Sequence, residues 1–277
     1  MNQTRFRLDL AYDGQGFHGW ASQPGLRTVQ GVIQEAAASA LQLLGQSDEL
    51  ELIAAGRTDA GVHARHQVAH LDAAVTPENA ASLRHHIARL MPDDIALHDC
   101  AVAPPGFDAR FSAIGRTYCY RLWDDDSAPF PAIRQIVTVL PGRLDTAAMS
   151  ASATSLLGLR DFAAFCRPKP GGTTVRHLRR FDVSRTGDGM IECWLEADAF
   201  CHSMVRSLVG AVTAVGQGRR DLEWLAGVAE MTARANDVPV LPPGGLTLED
   251  VAYPPDDLLA ARAAEARQTR HPADGSC

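Results

Sequence analysis

The sequence predicts an α+β protein of two tandem units whose strands form a mostly antiparallel sheet with helices on one face. Three observations carry this. Segments switch between a period of two and the three-and-four spacing of an amphipathic helix. They follow the order strand, helix, strand, strand, helix, strand. That order returns in outline, with additions, after Pro104-Pro105-Gly106.

In the first half, Phe6, Leu8, Leu10 and Tyr12 alternate with Arg5, Arg7, Asp9 and Ala11, the pattern of a half-buried strand. Thr28 offers an N-cap to a helix running to Leu44, where Gly45 stops it. Val29, Val32, Ile33, Ala36, Ala37, Ala40, Leu41 and Leu44 follow the spacing of one apolar face of that helix. The run from Leu50 to Ala55 reads as a strand, and Gln67 to Asp72 as another. Thr76-Pro77-Glu78 opens a second helix with a proline in its first turn, and Ala80, Leu83, Ile87 and Leu90 line its inner face. Ile95 to Val102 closes this half as a strand.

In the second half, Thr117 to Trp123 and Ile136 to Leu140 read as strands, and Asp145 to Leu157 as a helix stopped by Gly158. Val175 to Arg185 and Met190 to Ala197 flank Gly187-Asp188-Gly189 as a hairpin. Helices follow at about 202–215 and 221–233, then a strand at 246–251. The expected units are therefore 1–105 and 106–256. A tail at 257–277 starts in helix-forming residues and ends disordered.

At 277 residues, 46% of them hydrophobic, the chain can bury a sizeable core. No apolar run reaches the ~20 residues of a membrane span. The opening MNQTRFRLDL lacks the basic start and apolar centre of a signal peptide, which predicts a cytoplasmic protein. Six cysteines without a CxxC pair or metal-ligand spacing predict reduced thiols. No metal site, Walker loop or dinucleotide fingerprint is found, so no cofactor is expected. The net charge of -7 counts against a general nucleic-acid coat. Basic residues nevertheless gather at Arg57/His63/Arg65/His66, at Arg84-His85-His86/Arg89 and at Arg176-His177-Leu178-Arg179-Arg180, which suggests one binding face.

The most informative stretch is Ala55-Gly56-Arg57-Thr58-Asp59-Ala60-Gly61-Val62-His63-Ala64, where a carboxylate stands between two glycines on a loop delivered by a strand. By itself this fits a turn aspartate as well as a catalytic one. The ten residues resemble the signature of the TruA-type tRNA pseudouridine synthases, and further matches follow in order. Tyr12-Asp13-Gly14 and Phe17-His18-Gly19-Trp20 are similar to that family's opening. Phe107, Arg110, Arg116, Tyr118 and Tyr120 resemble its central segment. Ala199 to Arg206 with Val209-Gly210 resemble its C-terminal helix, and Gly245-Leu246-Thr247-Leu248 its closing strand. The resemblance covers about residues 5–254. It implies the pseudouridine synthase fold with a central cleft, a homodimer, and uridines 38, 39 and 40 of the tRNA anticodon stem-loop as substrate.

The reaction breaks the N-glycosidic bond of uridine, turns the uracil and rejoins it through carbon, with no redox change. Asp59 is the candidate catalytic carboxylate, whether it adds to the uracil ring, attacks the ribose or takes a ribose proton. Arg206, alone among apolar neighbours in its helix, is the expected counter-ion that keeps Asp59 ionised; the bland alternative puts it on a polar stripe with His202 and Ser203. The resemblance implies that Tyr118 packs on the target uracil and Leu246 beneath it, with Tyr120 in the core. Arg57 suits a phosphate or the extruded nucleotide, or else an ion pair that holds the loop shut. His63 either orders the loop or touches RNA. Arg65, Arg110, Arg176, Arg179 and Arg180 are candidates for the phosphate cradle around a base that leaves its stack.

The chain departs from the family pattern at Ala21, at Asp108 and in the bulk of Arg65-His66. Two other readings remain. A glycoside or nucleoside hydrolase would usually need a second carboxylate, which the loop lacks. An RNA-binding module of the same fold without catalysis would not require Asp59, Tyr118 and Arg206 together.

Overall fold

The structure is a computed structural model that describes residues 3–46, 50–125, 128–167 and 172–267. Along them run β1 (Thr4–Tyr12), α1 (Val29–Leu43), β2 (Leu52–Ala54), β3 (His63–Ala73), α2 (Ala80–Leu90), β4 (Ile95–Val102), β5 (Gly115–Trp123) and β6 (Thr138–Val139). There follow α3 (Thr146–Ser155), β7 (Gly158–Asp161), β8 (Val175–Arg185), β9 (Ile191–Ala197), α4 (Met204–Gly216), α5 (Leu222–Ala229), β10 (Leu246–Ala252) and α6 (Leu259–Arg267). The class is α+β. Two compact units divide the described residues: those up to 114 together with those from 248 to 267, and those from 115 to 247.

The first unit orders its strands β4-β1-β3-β10, with β2 on β3. The β1–β3, β1–β4 and β2–β3 pairs are antiparallel. Registers Phe6↔Leu71 and Leu8↔Ala69 gather apolar side chains on one face, because side chains alternate along each strand. Phe6, Leu8, Leu10, Ile33, Leu83 and Ile87 are fully buried. Thr28 caps α1 as expected, its hydroxyl accepting from the Gly31 amide. Between Leu10↔Gln67 and Tyr12↔Ala64 the register shifts by a bulge at Arg65 and His66.

The opposite face of this sheet is polar and covered by the chain's two ends of the unit. Arg5 forks onto both oxygens of Asp72 at 2.8 and 2.7 Å and reaches the Phe107 carbonyl. The Arg7 guanidinium lies over the rings of Phe107 and Tyr253. Burial pushes the His70 imidazole down to about 4, so its Nδ1 accepts the Ala109 amide as a neutral group. Residues 106–114 thus pack on the first unit, and the seam expected at 105/106 stands inside it. Asp108 is held here: its carboxylate accepts the Arg110 and Phe111 amides and pairs with Arg267 of α6 at 2.8 Å. Gly106, at φ +77°, passes so close to α6 that an added Cβ would sit 2.5 Å from Ala260 Cβ.

In the second unit the strands run β5-β9-β8-β7, with the two-residue β6 parallel to β5. Asp145 caps α3 through the amides of Ala147 and Ala148, and Asp221 caps α5 through that of Trp224. The expected hairpin forms, β8 against β9. Gly158, expected as a helix stop, also starts the edge strand β7, which pairs with β8 from Gly158↔Leu178 to Asp161↔Val175. One expectation fails: Cys166 and Cys201, counted among six reduced thiols, are joined as a disulfide with their Cα atoms 5.7 Å apart. Their neighbours explain the meeting, since the Arg167 amide donates to the His202 carbonyl, a contact 35 residues long that no spacing rule shows. Cys100, Cys119 and Cys193 are buried and form no disulfide. The expected disordered end at 271–277 lies outside the described residues.

Candidate active site

Asp59 sits half-buried on the turn between β2 and β3, its carbonyl accepting the Val62 amide at 3.2 Å. The segment 13–20 packs against this turn. The Trp20 amide donates to the Thr58 carbonyl at 3.1 Å, and the Gly61 amide to the Phe17 carbonyl at 3.3 Å. Glycine is required where the two backbones meet. A Cβ on Gly14 would lie 2.1 Å from the Val62 oxygen, and Gly19, at φ +91°, faces the peptide of Asp59.

Side chains complete the clamp. The Tyr12 and Thr58 hydroxyls bond at 2.8 Å, and the fully buried Gln67 amide donates to the Gly56 carbonyl at 2.8 Å and to the Tyr12 oxygen at 3.4 Å. Burial pushes the Tyr12 phenol up to about 12, so it stays neutral and available as a donor. His63 is buried, its Nδ1 accepting the Gly14 amide at 3.2 Å with Asp13 at 3.1 Å. That contact orders the loop. Arg57 is exposed and pairs with no carboxylate among the described residues, so the loop-closing ion pair is not formed there.

The residues expected to meet the base and the carboxylate, Tyr118, Arg206 and Leu246, lie in the second unit. Tyr118 and Tyr120 share one face of β5, opposite Leu195 and Cys193 of β9. The Tyr118 ring meets Phe200 edge-on with centroids 5.2 Å apart. Tyr120 is fully buried, and its hydroxyl bonds Thr138 and the Pro242 carbonyl, each at 2.7 Å, so the expected core role holds. Arg206 is half-buried on the first turns of α4, and its Nε donates to the Leu241 carbonyl at 2.7 Å. Neighbouring carbonyls of one segment therefore fix Arg206 and Tyr120, and four residues on, the same segment delivers the buried Leu246. Gly245 is forced there, since a Cβ would lie 2.7 Å from the Thr138 hydroxyl and 2.8 Å from the Arg121 carbonyl. Just before α4, Ser203 stands at φ +65°, the single non-glycine residue with positive φ among those described.

Of the expected cradle, Arg65 is three-quarters exposed (75%) and reaches Glu249 loosely at 3.7 Å. Arg110 is exposed over the Phe111 ring. Arg176 donates to the Val175 carbonyl, Arg179 faces Glu196 at 3.5 Å, and Arg180 pairs with Asp182 at 2.5 Å. His66 is held between Asp9 at 3.0 Å and Asp250 at 2.7 Å. Among the described residues no group of three or more His, Cys, Asp or Glu side chains could hold a metal ion. No helix among them is long and apolar enough to cross a membrane.

Residues 152–254 match the family described as tRNA pseudouridine synthase. Over nearly its whole length the chain is similar to curated proteins named tRNA pseudouridine synthase A. The one from Cutibacterium acnes is 51% identical across 96% of this chain and 95% of its own. The chain belongs to this family. The Frankia casuarinae member is 48% identical over 97% and 96% of the two chains, and the Tropheryma whipplei member 46% over 98% and 100%. What sequence reasoning missed in the family's signature is its support: Tyr12, Thr58 and Gln67. A signal existed for Gln67, a polar residue at an inward position of a strand between Ala69 and the bulge.

Proposed function

We propose that this chain converts uridine to pseudouridine in the anticodon stem-loop of tRNA, at positions 38, 39 and 40, as a cytoplasmic homodimer. The observation that supports it best is the signature loop, whose single half-buried carboxylate is held by bonds on either side. The isomerisation balances without a co-reactant: the bond from ribose C1′ to N1 breaks, one from C1′ to C5 forms, C5 loses a proton and N1 gains one. Asp59 provides the carboxylate that attacks the base or ribose or removes a ribose proton. Arg206 is its counter-ion, Tyr118 packs on the uracil and assists proton removal at C5, and Leu246 supports the base from beneath. The exposed Arg57 suits a phosphate or the extruded nucleotide, since a guanidinium fork matches phosphate oxygens. Arg65 and Arg110 extend the cradle, with Arg176, Arg179 and Arg180 as a further stretch.

Tritium release from tRNA labelled at uridine C5 tests this directly, because each turnover frees the C5 hydrogen. Wild-type protein releases tritium; Asp59→Asn binds tRNA but releases none. Turnover by Asp59→Asn at the wild-type rate would overturn the reading, and tRNA binding without release by the wild type would favour the non-catalytic module.

A further inference from the structure

The polar side chains beneath the Asp59 loop face away from solvent and have no part in the chemistry above. Tyr12 and Thr58 are almost fully buried and Gln67 entirely so. A buried polar group is retained only where it is hydrogen-bonded, and these three satisfy one another and the loop. Tyr12 meets the Thr58 hydroxyl, and Gln67 ties the Tyr12 oxygen to the Gly56 carbonyl. Beyond Asp59 the turn is fixed by main-chain bonds at Gly61 and Val62. Ahead of it, the Thr58 side chain is fixed from below while its carbonyl takes the Trp20 amide.

We infer that the Tyr12–Thr58–Gln67 network is the positioning device of the catalytic loop, fixing the peptide from which the Asp59 side chain springs. The inference rests on the reading that Asp59 does the chemistry. None of the three residues touches substrate. They act by holding the carboxylate within the ~0.5 Å that a productive geometry tolerates.

Steady-state tritium release by Tyr12→Phe, Thr58→Val and Thr58→Ser tests it. A displacement near 1 Å lowers turnover about 100-fold, so kcat should fall between about 10- and 100-fold in Tyr12→Phe and Thr58→Val while KM for tRNA stays within about twofold. Thr58→Ser, which keeps the hydroxyl, should restore near-wild-type kcat. Because the hydroxyls act as one unit, the double variant Tyr12→Phe/Thr58→Val should be no slower than the slower single variant. Wild-type kcat in folded Tyr12→Phe, or Thr58→Ser as slow as Thr58→Val, overturns the inference. Should Tyr12→Phe fail to fold, the Thr58 pair decides alone. Asp59→Asn separates the two levels: if it is inactive while Tyr12→Phe is fully active, only the positioning role falls.

Discussion

The loop around Asp59 and the strand β8 both carry arginines, and they hold them in opposite ways. Arg57 projects from the loop with no carboxylate beside it among the described residues, and Arg65 is largely exposed with Glu249 at 3.7 Å. On β8, Arg179 and Arg180 face Glu196 and Asp182 at 3.5 and 2.5 Å, and Arg180 also lies over the Trp194 ring. A guanidinium already beside a carboxylate brings little net charge to a phosphate and releases few counterions when one arrives. The number of cations in a stretch is therefore a poor measure of its affinity for RNA. What matters is which of them the fold leaves unneutralised.

The largest effect that would sharpen this contrast is expected at Arg206, an arginine fixed by a carbonyl rather than displayed. Arg206→Met should lower kcat about 100-fold, the scale of losing one charge-stabilising donor. Arg206→Lys keeps the charge but loses the Nε contact to Leu241, so its tritium release should fall between the two. If Arg206→Met were no worse than Arg180→Ala, Arg206 would be another solvated cation.

Next in size is the salt dependence of tRNA binding. Arg57→Ala should reduce the slope of log affinity against log salt by about 1, one phosphate contact. The double variant Arg179→Ala/Arg180→Ala should change it less than that single substitution. An equal or larger change, read by filter binding across a salt series, would break the comparison.

The smallest effect concerns His66, a cation of the first stretch that is bound rather than displayed. The hydrogen bond that it donates to Asp9 holds its imidazole above the usual range, against burial, with Asp250 adding to it. Asp9 moves the other way: burial pushes it up, but the bonds from His66 and Arg7 hold it low. A raised histidine stabilises fully below its unfolded value of about 6.5 and loses that contribution as pH rises through the folded one. His66→Asn should accordingly lower Tm by about 2–4 °C at pH 5.5, as for a loss near 1 kcal/mol, and by less at pH 9. An equal loss at both pH values in thermal melts would show that His66 is not charged in the fold.

Much of this molecule was legible in its residues, and the limits have physical causes. Periodicity located β1, α1, β4 and the β8–β9 hairpin, since a one-sided apolar face leaves its period in the sequence. The edge strand β7 has four residues, too few to show a period, and β3 begins at His63 because its pairing resumes beyond a bulge, Ala64 against Tyr12. The turn that carries Asp59 and the core place of Tyr120 could be read from their motifs. The network beneath Asp59 could not, because Tyr12 and Thr58 are 46 residues apart and only the fold brings their hydroxyls together. The attachment of residues 106–114 to the first unit was hidden likewise, resting on contacts to His70 and to α6.

That last attachment bears on how the protein is made. The clamp around Asp59 needs only residues emitted early by the ribosome, from Tyr12 to Gln67. The polar sheet face behind it must wait for β10 and α6, among the last segments synthesised. Until Leu259 reaches Ser112 and Arg267 reaches Asp108, rings such as Phe107 lack part of their cover. N-terminal units generally fold first during synthesis; this one cannot finish until almost the whole chain has been translated. A nascent chain cut short before residue 248 would thus carry the Asp59 loop on an incomplete body, and its uncovered rings would mark it for chaperones and proteases.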